Sequence, residues 1–405
     1  MAEQRPFGQL IPYEDALTLI LGEIESITDT EEIDIVDSIG RVLAEDIISS
    51  LFVPPFDRAA MDGFAVKAED TYGAGKFDPV ELKNIGNIHA GDSPDSIVDK
   101  GECVQIATGA PMPQGADAVV KVERTEKDED TVNIYKPVHP SENVSPKGED
   151  IEEGDKILEK DTYLTSAKIG ALAAVGKNKV KVYRKPKIGI IPTGDEVVPL
   201  DNELKAGQIY DINSYTLSSV VEQNGGEAVR GGIVQDTLEG LKDEIEKRAK
   251  ELDMVLFSGG SSVGDKDILI DALSSIGEVH FHGVKLKPGK PTLFGKVKGT
   301  PVIGMPGYPT SCLNTAQQLI IPAIRKMASL PEPKQRTIEA VLQKRVTSSL
   351  GRKQYMTVEI DGDKAYPAYK QSGAITSMAH AEGYFEIPEN MELVEKGEKI
   401  TVVLF

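Results

Sequence analysis

The sequence predicts a multidomain α/β plus β protein: an α/β/α three-layer domain with a parallel sheet, a discontinuous linker domain, an inserted β-rich domain and a small C-terminal β-barrel. Strands and helices alternate between residues 185 and 330, which is typical of a parallel sheet covered by helices on both faces. Short strands punctuated by Pro and Gly dominate residues 51–145 and again residues 331–405. The chain of 405 residues is also too long for one ordinary domain.

The first part of the chain predicts two interleaved domains. Outside the β-rich stretch, the hydrophobic spacing predicts helices over residues 12–24 and 166–175 and strands over residues 33–36 and 179–183. We therefore expect residues 1–50 and 146–183 to form one discontinuous, elongated domain. Residues 51–145 would be inserted into it as the β-rich domain.

The α/β domain is expected to span residues 184–330. Its strands are predicted at 187–191, 228–234, 254–257, 279–285, 292–297 and 301–303, and its helices at 214–223, 238–251, 268–276 and 311–327. Ligands of such sheets bind beyond the carboxyl ends of the strands. Four polar turns, at 193–196, 235–236, 258–267 and 305–310, should therefore converge on one rim.

Residues 331–405 predict the small β-barrel domain. Its strands are expected at 337–346, 355–360, 374–378, 383–387 and 400–405.

The composition excludes several classes of function. A net charge of −20 and the absence of Trp argue against binding to nucleic acid, and the charge argues against anionic membranes. The chain has neither an apolar signal segment nor eighteen consecutive apolar residues, so we expect a cytoplasmic protein that does not enter the membrane. Cys103 and Cys312 have no C-x-x-C partner and are expected to be buried apolar side chains.

A glycine-rich loop joins the buried strand at 254–257 to the apolar helix at 268–276. Its backbone amides could approach an oxyanion closely. The candidate anion-binding residues in it are Ser258, Gly259, Gly260 and Gly264. The alternative is a plain strand-to-helix connection whose glycines only permit positive φ.

Two lysines, Lys287 and Lys290, stand three residues apart in a stretch that Pro288 and Pro291 keep extended. They could clamp a phosphate or another oxyanion beside the rim. A surface turn explains the same pattern when it is taken in isolation.

Carboxylates gather in the same domain and favour Mg²⁺, which prefers hard oxygen ligands. They are Asp195, Glu196, Asp211, Asp236, Asp265 and Asp267. Helix caps or solvated surface account for some of them. His280 and His282 share one side of a strand, but no third ligand is near them in the sequence, so a transition-metal site is not expected.

With these residues assembled, the sequence resembles the molybdopterin molybdenumtransferase family, to which the C-terminal part of gephyrin is related. The resemblance covers nearly the whole chain. It is carried by Pro-Phe-Asp-Arg-Ala-Ala-Met-Asp-Gly-Phe-Ala at 55–65, Ala-Thr-Gly-Ala-Pro-Met-Pro at 107–113, Gly-Glu-Asp-Ile at 148–151, Pro-Thr-Gly-Asp-Glu at 192–196, Gly-Gln-Ile-Tyr-Asp-Ile-Asn at 207–213, Ser-Gly-Gly-Ser-Ser-Val-Gly-Asp-Lys-Asp at 258–267, Lys-Pro-Gly-Lys-Pro at 287–291 and Met-Pro-Gly-Tyr-Pro at 305–309.

The resemblance implies four domains, an elongated homodimer and a specific reaction. Molybdate, or tungstate, is inserted at the dithiolene of adenylylated molybdopterin while AMP leaves, with Mg²⁺ assisting. The active cleft is expected between the α/β domain of one subunit and the β-rich domains of the other. The molybdopterin adenylyltransferase that supplies this substrate is the expected upstream partner.

The same resemblance assigns roles to residues of three domains. The expected catalytic residues are Asp57, Asp62, Thr108, Asp150, Glu196, Asp236, Asp267 and Lys287, and the expected metal ligands are Glu196, Asp236 and Asp267. Residues expected to hold the cofactor, besides the glycine-rich loop and Lys290, are Pro306, Arg352 and Ser372.

Two positions depart from the family pattern. Tyr308 stands where many relatives have Asn, and Gly283 lies where many have a basic residue nearby, whereas here the nearest is Lys285. These departures leave the choice of molybdate or tungstate open.

Two other functions compete with the transferase. A molybdopterin adenylyltransferase carries a similar Ser-Gly-Gly loop, but it leaves the other three domains and the motif of Asp57 and Asp62 unexplained. A non-catalytic scaffold is disfavoured by the full set of acidic and lysine positions.

Overall fold

The computed structural model describes residues 9–259, 268–368 and 373–405. The chain divides into two compact units. The larger unit contains Met1–Glu31, Gly40–Val42 and Val182–Phe405, and the smaller contains Glu32–Ile39 and Leu43–Lys181. Five of the candidate site residues lie outside the described residues: Gly260, Gly264, Asp265, Asp267 and Ser372.

The smaller unit is built around a six-stranded sheet. Its strands follow the order Ala118–Lys121, Gly63–Val66, Glu102–Ile106, Val80–Ile88, Thr131–Ile134 and Thr125–Asp128. Only Val80–Ile88 and Glu102–Ile106 pair parallel within this sheet. The other elements are the paired strands Arg58–Ala59 with Val144–Ser145 and Ile47–Ile48 with Lys156–Leu158, the helix Ser166–Ala174, and the 3-10 turns Ile35–Asp37, Ala68–Thr71 and Val122–Arg124. The division of the chain into two units falls within strand Thr30–Asp34 and within strand Lys179–Tyr183.

The strand Gly63–Val66 is apolar throughout because both of its faces are buried. Phe64 and Val66 belong to one hydrophobic core and Ala65 to a second, as the alternation of side chains along a strand requires. At Gly63, a β-carbon would lie 1.9 Å from the carbonyl oxygen of Val120. Glycine therefore permits the close pairing of these two strands.

The strand predicted over 33–36 ends earlier than expected. The structure has a strand Thr30–Asp34 followed by a 3-10 turn Ile35–Asp37. The Ser38 hydroxyl donates a hydrogen bond to the carbonyl of Ile35 at 2.7 Å, and the Ser38 amide donates to the same oxygen at 3.2 Å. Such local bonds compete with strand pairing, which explains the difference.

The α/β sheet of the larger unit has six strands. Their order is Glu227–Arg230, Lys187–Pro192, Met254–Ser258, Thr300–Met305, Leu293–Val297 and Glu278–His282. The first four run parallel, and the last two pair antiparallel at one edge. The antiparallel edge was not predicted. It follows from a two-residue hairpin in which Lys298 (φ 52°) and Gly299 (φ 89°) both have positive φ, as in the turns that join antiparallel strands.

Helices cover both faces of this sheet, which confirms the three-layer prediction. They are Tyr13–Glu23, Asn213–Gln223, Leu238–Arg248, Ile268–Ile276, Pro309–Thr315 and Ile321–Met327. One core joins Ile20 and Leu319 to sheet residues such as Leu256. The other joins Leu241 and Leu269 to Val255 and its neighbours. Adjacent residues 255 and 256 thus point to opposite layers, as strand geometry demands.

The last helical stretch contains a π-helical segment, Ala316–Ile320, between its two α-helical parts. Pro322 has no amide hydrogen and cannot donate to the carbonyl of Gln318, its α-helical partner. The hydroxyl of Tyr13 donates to that carbonyl at 3.3 Å. The N-terminal helix is therefore hydrogen-bonded to the last helical stretch at the point where the α-helical hydrogen-bonding pattern is interrupted.

The C-terminal residues form the predicted β-barrel. Five strands close on themselves: Lys353–Asp361, Lys364–Pro367, Thr337–Leu342, Lys399–Leu404 and Gly383–Ile387. The short strands Val346–Thr347 and Leu393–Val394 pair beside them. Leu286–Lys287 of the α/β domain adds to the barrel sheet alongside Lys353 and Gln354.

One predicted strand of the barrel domain, at 374–378, is wrong. The structure has a helix Thr376–Ala379 there, and the Ser377 hydroxyl donates to the carbonyl of Ala374 at 2.8 Å. Serine bonds of this kind favour a turn over a strand.

Candidate functional site

The predicted convergence of turns occurs at the carboxyl edge of the α/β sheet. The Thr193 amide donates to the carbonyl of Ser258 at 3.0 Å, and the Val234 amide donates to Pro192 at 3.0 Å. The Gly259 amide donates to Met305 at 3.2 Å. These bonds bring segments 192–196, 234–236, 258–259 and 305–307 together, and we call this edge the rim.

Gly259 occupies a position that only glycine fits. Its φ is 106°, and a β-carbon would lie 2.6 Å from the carbonyl oxygen of Thr193. Ser258, immediately before it, is buried in the sheet. Among the described residues of the predicted glycine-rich loop, Ser258 fixes the strand end and Gly259 permits the turn that follows.

Carboxylates and a hydroxyl meet at the rim without full hydrogen bonding. The Thr193 Oγ1 and Asp236 Oδ1 atoms are buried, and neither has a hydrogen-bond partner among the described residues. Burial raises the pKa of Asp236, the neighbouring Thr193 hydroxyl offsets part of that rise, and the charges of Asp195 and Glu196 raise the pKa further. A carboxylate in this position would be stabilised by a cation.

The side chain of Glu196 folds back over Gly194. A β-carbon on Gly194 would lie 2.9 Å from Oε2 of Glu196, and the φ of this glycine is 131°. Glycine at 194 therefore gives the exposed Glu196 carboxylate room at the rim.

Asp236 and Glu196 are the described rim residues that could hold a cation. Within residues 9–259, 268–368 and 373–405, no group of three His, Cys, Asp or Glu side chains could hold a metal ion. Mg²⁺ usually takes only one or two protein carboxylates and fills its other positions with water and substrate phosphates. The unpartnered oxygen of Asp236 and the nearby Glu196 supply such a pair.

Lys287 lies where the α/β domain meets the barrel. Strand pairing places Lys287 opposite Gln354, and its Nζ contacts the Oγ of Ser349 at 3.1 Å. Burial lowers the pKa of Lys287, and the positive charge of Arg352 lowers it further. The positive charges of Lys287 and Arg352 repel each other. An anion bound beside them would relieve that repulsion, so this position favours anion binding.

The loop after Lys287 is held by the last helical stretch. Asn314 Nδ2 donates to the carbonyl of Pro288 at 2.7 Å, and the Thr292 hydroxyl donates to Gly289 at 2.8 Å. Gly289 has a φ of 128°, and a β-carbon there would lie 2.6 Å from Thr315 Oγ1. The loop that carries Lys287 and Lys290 is thus fixed by its neighbours.

A second group of predicted residues lies in the smaller unit. One carboxylate oxygen of Asp62 accepts hydrogen bonds from the Thr108 amide at 2.7 Å and from the Thr108 hydroxyl at 2.9 Å. Both residues are exposed, and these bonds lower the pKa of Asp62. Since its hydroxyl proton is used by Asp62, Thr108 offers an outside ligand only an acceptor in this conformation.

Asp57 and Asp150 lie on two other segments of the smaller unit. Asp57 Oδ1 accepts from the Lys147 amide at 2.7 Å, and the Asp57 carbonyl accepts from Met112 at 2.9 Å. The Asp150 amide donates to Val53 at 3.0 Å. Both carboxylates are exposed, so they are available to a ligand.

Two contacts of the site were not predicted from the sequence. Ser349 beside Lys287, and Asn213, whose Nδ2 donates to Gly307 at 2.9 Å, were not predicted as site residues. Pro306 was predicted and lies buried at the rim. Asn213 could have been chosen as a site residue, because it is the last residue of one of the motifs that carry the resemblance. No motif includes Ser349.

The remaining reactive side chains have structural roles. Burial raises the pKa of Cys103 to about 12 and that of Cys312 further still, which keeps both thiols protonated, as expected for core residues. His280 stacks on Phe294 with ring centroids 5.2 Å apart. In the described part of the chain, no helix is long and apolar enough to cross a membrane.

Comparison with known families accounts for nearly the whole chain. Residues 11–176 match the MoeA N-terminal region (domain I and II), residues 189–326 the probable molybdopterin binding domain, and residues 339–405 the MoeA C-terminal region (domain IV). The α/β rim and these three matches define a protein of the molybdopterin-binding class.

Individual relatives resemble the chain over most of its length. A crystal structure of the molybdopterin biosynthesis MoeA protein from Pyrococcus horikosii is 44% identical, covers 98% of this chain and 99% of its own, and superposes with a TM-score of 0.84. The molybdopterin molybdenumtransferase of a Nostoc species is 37% identical over 80% of this chain and 76% of its own. The Staphylococcus epidermidis enzyme of the same name is 32% identical, over 92% and 90%. The chain belongs to the MoeA family.

Proposed function

We propose that this protein is a molybdopterin molybdenumtransferase, which inserts molybdate or tungstate into adenylylated molybdopterin and releases AMP. The observation that carries the proposal is the rim, where the desolvated carboxylate of Asp236 lies beside the charges of Asp195 and Glu196. Curated relatives that match most of the chain bear the name of this enzyme. The rim also lies within the residues that match a molybdopterin-binding domain.

The anionic substrate would be bound by local groups. A net charge of −20 repels anions at long range, so attraction must come from a few placed cations. Lys287 and Arg352 are such cations, and the Ser349 hydroxyl next to Lys287 can orient an oxyanion by hydrogen bonding. The resemblance implies that the glycine-rich loop after Ser258 binds the phosphates with backbone amides.

Glu196 and Asp236, with Asp267 as the expected third ligand, would hold Mg²⁺ at the rim. When bound, the ion supplies positive charge against the phosphate that leaves with AMP. The carboxylates of the chain place that charge, and the buried Thr193 hydroxyl beside them can donate to a phosphate oxygen or to water.

Asp57, Asp62, Thr108 and Asp150 would act from the smaller unit, in the subunit arrangement that the resemblance implies. Asp62 positions Thr108, and the exposed carboxylates of Asp57 and Asp150 are free to accept hydrogen bonds from the cofactor. Ser372 would contribute a further hydroxyl toward molybdate.

We place this enzyme in the cytoplasm as a homodimer, downstream of a molybdopterin adenylyltransferase. Exposed apolar side chains support self-association of the smaller unit: Val36 is 75% exposed, Ile39 52% and Leu51 47%. Val36 is in the 3-10 turn that packs on helix Ser166–Ala174, and Leu51 approaches Gly176 just after that helix. Val36→Asp combined with Ile39→Asp should shift the protein from dimer to monomer in sedimentation, and an unchanged mass would contradict this surface.

The reaction itself is tested with purified protein, adenylylated molybdopterin, Mg²⁺ and either oxyanion. We expect AMP release that requires molybdate or tungstate and that falls in Asp236→Asn and Lys287→Met, while the matched variant Lys285→Met retains it. The oxyanion that supports faster release identifies the physiological metal. ATP-dependent adenylylation of free molybdopterin instead would indicate the adenylyltransferase, and neither activity would indicate a scaffold.

A further inference from the structure

Tyr308 is a large exposed side chain that directly follows the rim segment 305–307. It is 65% exposed, although it lies between the buried residues Pro306 and Thr310. It follows the carboxyl end of the parallel strand Thr300–Met305 and precedes helix Pro309–Thr315. Packing of the fold does not explain an aromatic ring here, because most of the ring faces solvent.

The backbone that carries this ring is fixed. The Cys312 amide donates to the Tyr308 carbonyl at 2.8 Å, and Asn213 Nδ2 holds the carbonyl of Gly307 at 2.9 Å. Pro306 and Pro309 restrict the backbone on either side. A ring on such a support loses little conformational freedom when it binds a ligand, which favours affinity.

The loop that carries this ring contacts the turn at Gly259. A β-carbon on Gly307 would be 3.6 Å from the Cα of Gly259, so the two loops are in contact. On its other side, a β-carbon on Gly373 would be 3.9 Å from Cδ1 of Tyr308. Tyr308 thus presents an exposed aromatic ring on a loop that contacts the Gly259 turn, and the ring approaches Gly373 of the barrel domain.

We propose that the ring of Tyr308 stacks on a fused heteroaromatic ring of the substrate and sets the affinity for it. This inference rests on the proposed function, since adenylylated molybdopterin carries such a ring on each side of its pyrophosphate. An aromatic side chain can stack on the flat face of any base, because stacking needs no particular hydrogen-bonding pattern. Such stacking contributes substantially to the binding free energy. The residue acts on substrate affinity and not on the bond that breaks.

The experiment compares Tyr308→Phe, which keeps the ring, with Tyr308→Asn, which removes it. In the turnover assay, Tyr308→Asn should raise the KM for adenylylated molybdopterin about tenfold. Its kcat should stay within about twofold of wild type, because stacking acts on binding. Tyr308→Phe should retain both constants, and so should Tyr366→Asn, which changes an exposed tyrosine of the barrel domain.

The affinities of wild type and Tyr308→Asn for AMP alone and for free molybdopterin alone are measured at equilibrium, which requires no turnover. A loss of affinity for AMP in Tyr308→Asn places the ring against adenine, and a loss for molybdopterin places it against the pterin. Equal affinities of Tyr308→Asn and wild type for both compounds would overturn the inference. If wild type releases no AMP but Tyr308→Asn still weakens binding of either compound, the proposed function fails while the stacking role stands.

Discussion

A single carboxylate oxygen of Asp62 accepts hydrogen bonds from both the amide and the hydroxyl of Thr108. The two residues are far apart in sequence, and each was predicted separately as a site residue. Their contact shows that the smaller unit carries one organised group here, in which Asp62 fixes the rotamer of Thr108.

Replacing Asp62 with Ala should release Thr108 and lower kcat/KM roughly 10- to 100-fold, because a misplaced contact group is costly in catalysis. Asp62→Asn, which keeps an acceptor oxygen, should lose less. The hydrogen bonds lower the pKa of Asp62, so they persist above the ordinary aspartate pKa and are lost as pH falls through the lowered value. Steady-state kinetics on both variants and on Thr108→Val measure this, and equal losses in Asp62→Ala and Asp62→Asn would contradict it.

We expect the Asp236 carboxylate to lower the stability of the folded protein and to bind the metal ion. Burial and the charges of Asp195 and Glu196 raise its pKa, so its charged form destabilises the fold once pH rises through that raised value. At neutral pH without Mg²⁺, Asp236→Asn should raise the free energy of unfolding, by less than about 1 kcal/mol because solvent screens the site.

Adding Mg²⁺ with AMP should stabilise wild type more than Asp236→Asn in thermal denaturation. Asp201→Asn, at an exposed aspartate of the same domain, serves as the control. Equal stabilisation of wild type and Asp236→Asn by the ion would remove Asp236 from the metal site.

Lys287 should give oxyanion binding an unusual dependence on pH. Burial and Arg352 lower its pKa, so its positive charge is lost at a lower pH than that of an ordinary lysine. Affinity for tungstate should therefore fall roughly tenfold, for one lost charge-assisted hydrogen bond, over the pH range in which Lys287 loses its proton, and this range should lie below that of an ordinary lysine.

Calorimetric titration with tungstate measures that dependence. Lys287→Arg should remove the fall over the same range, since a guanidinium stays protonated. Lys285→Arg should leave it in place. A fall that persists unchanged in Lys287→Arg would assign the titration to another group.

Features that depend on residues close together in the sequence could be predicted. Features that depend on which distant segments pair could not. The rule that ligands lie beyond strand ends located the rim correctly, because it needs only strands and their order. The contact of Lys287 with Ser349 required the pairing of Leu286–Lys287 with Lys353–Gln354, which no local pattern contains. The same limit explains the helix Thr376–Ala379, where a serine bond outweighed an alternating pattern.

The antiparallel edge of the sheet shows a signal that was present but unused. Lys298 and Gly299 separate two apolar runs by two residues, which is the spacing of a tight hairpin. The alternation of strands and helices elsewhere in the domain favoured a parallel arrangement throughout. The two-residue turn requires the two strands that it joins to be antiparallel, because a connection between parallel strands needs many more residues.

Arg184 and Asp253 anchor the entry to the α/β sheet, and breaking this pair should destabilise the larger unit. Arg184 Nη1 and Nη2 donate to the two oxygens of Asp253 at 2.6 and 2.9 Å, and the Lys187 amide donates to Oδ2 at 2.7 Å. Their side chains are 29% and 19% exposed. Asp253→Asn should lower the free energy of unfolding by about 1.5 to 3 kcal/mol.

The pH dependence of this loss distinguishes the ion pair from simple packing. Burial raises the pKa of Asp253, but the bonds from Arg184 and the Lys187 amide outweigh it and leave the pKa lowered. The stability difference between wild type and Asp253→Asn should therefore be full above the ordinary aspartate pKa and vanish as pH falls through the lowered value. Asp29→Asn should change little, since Asp29 is 72% exposed where it meets Arg184. In denaturant titrations, a double-mutant cycle of Arg184→Met with Asp253→Asn should give a coupling above about 1 kcal/mol, and additive losses would show that the two side chains stabilise the sheet independently.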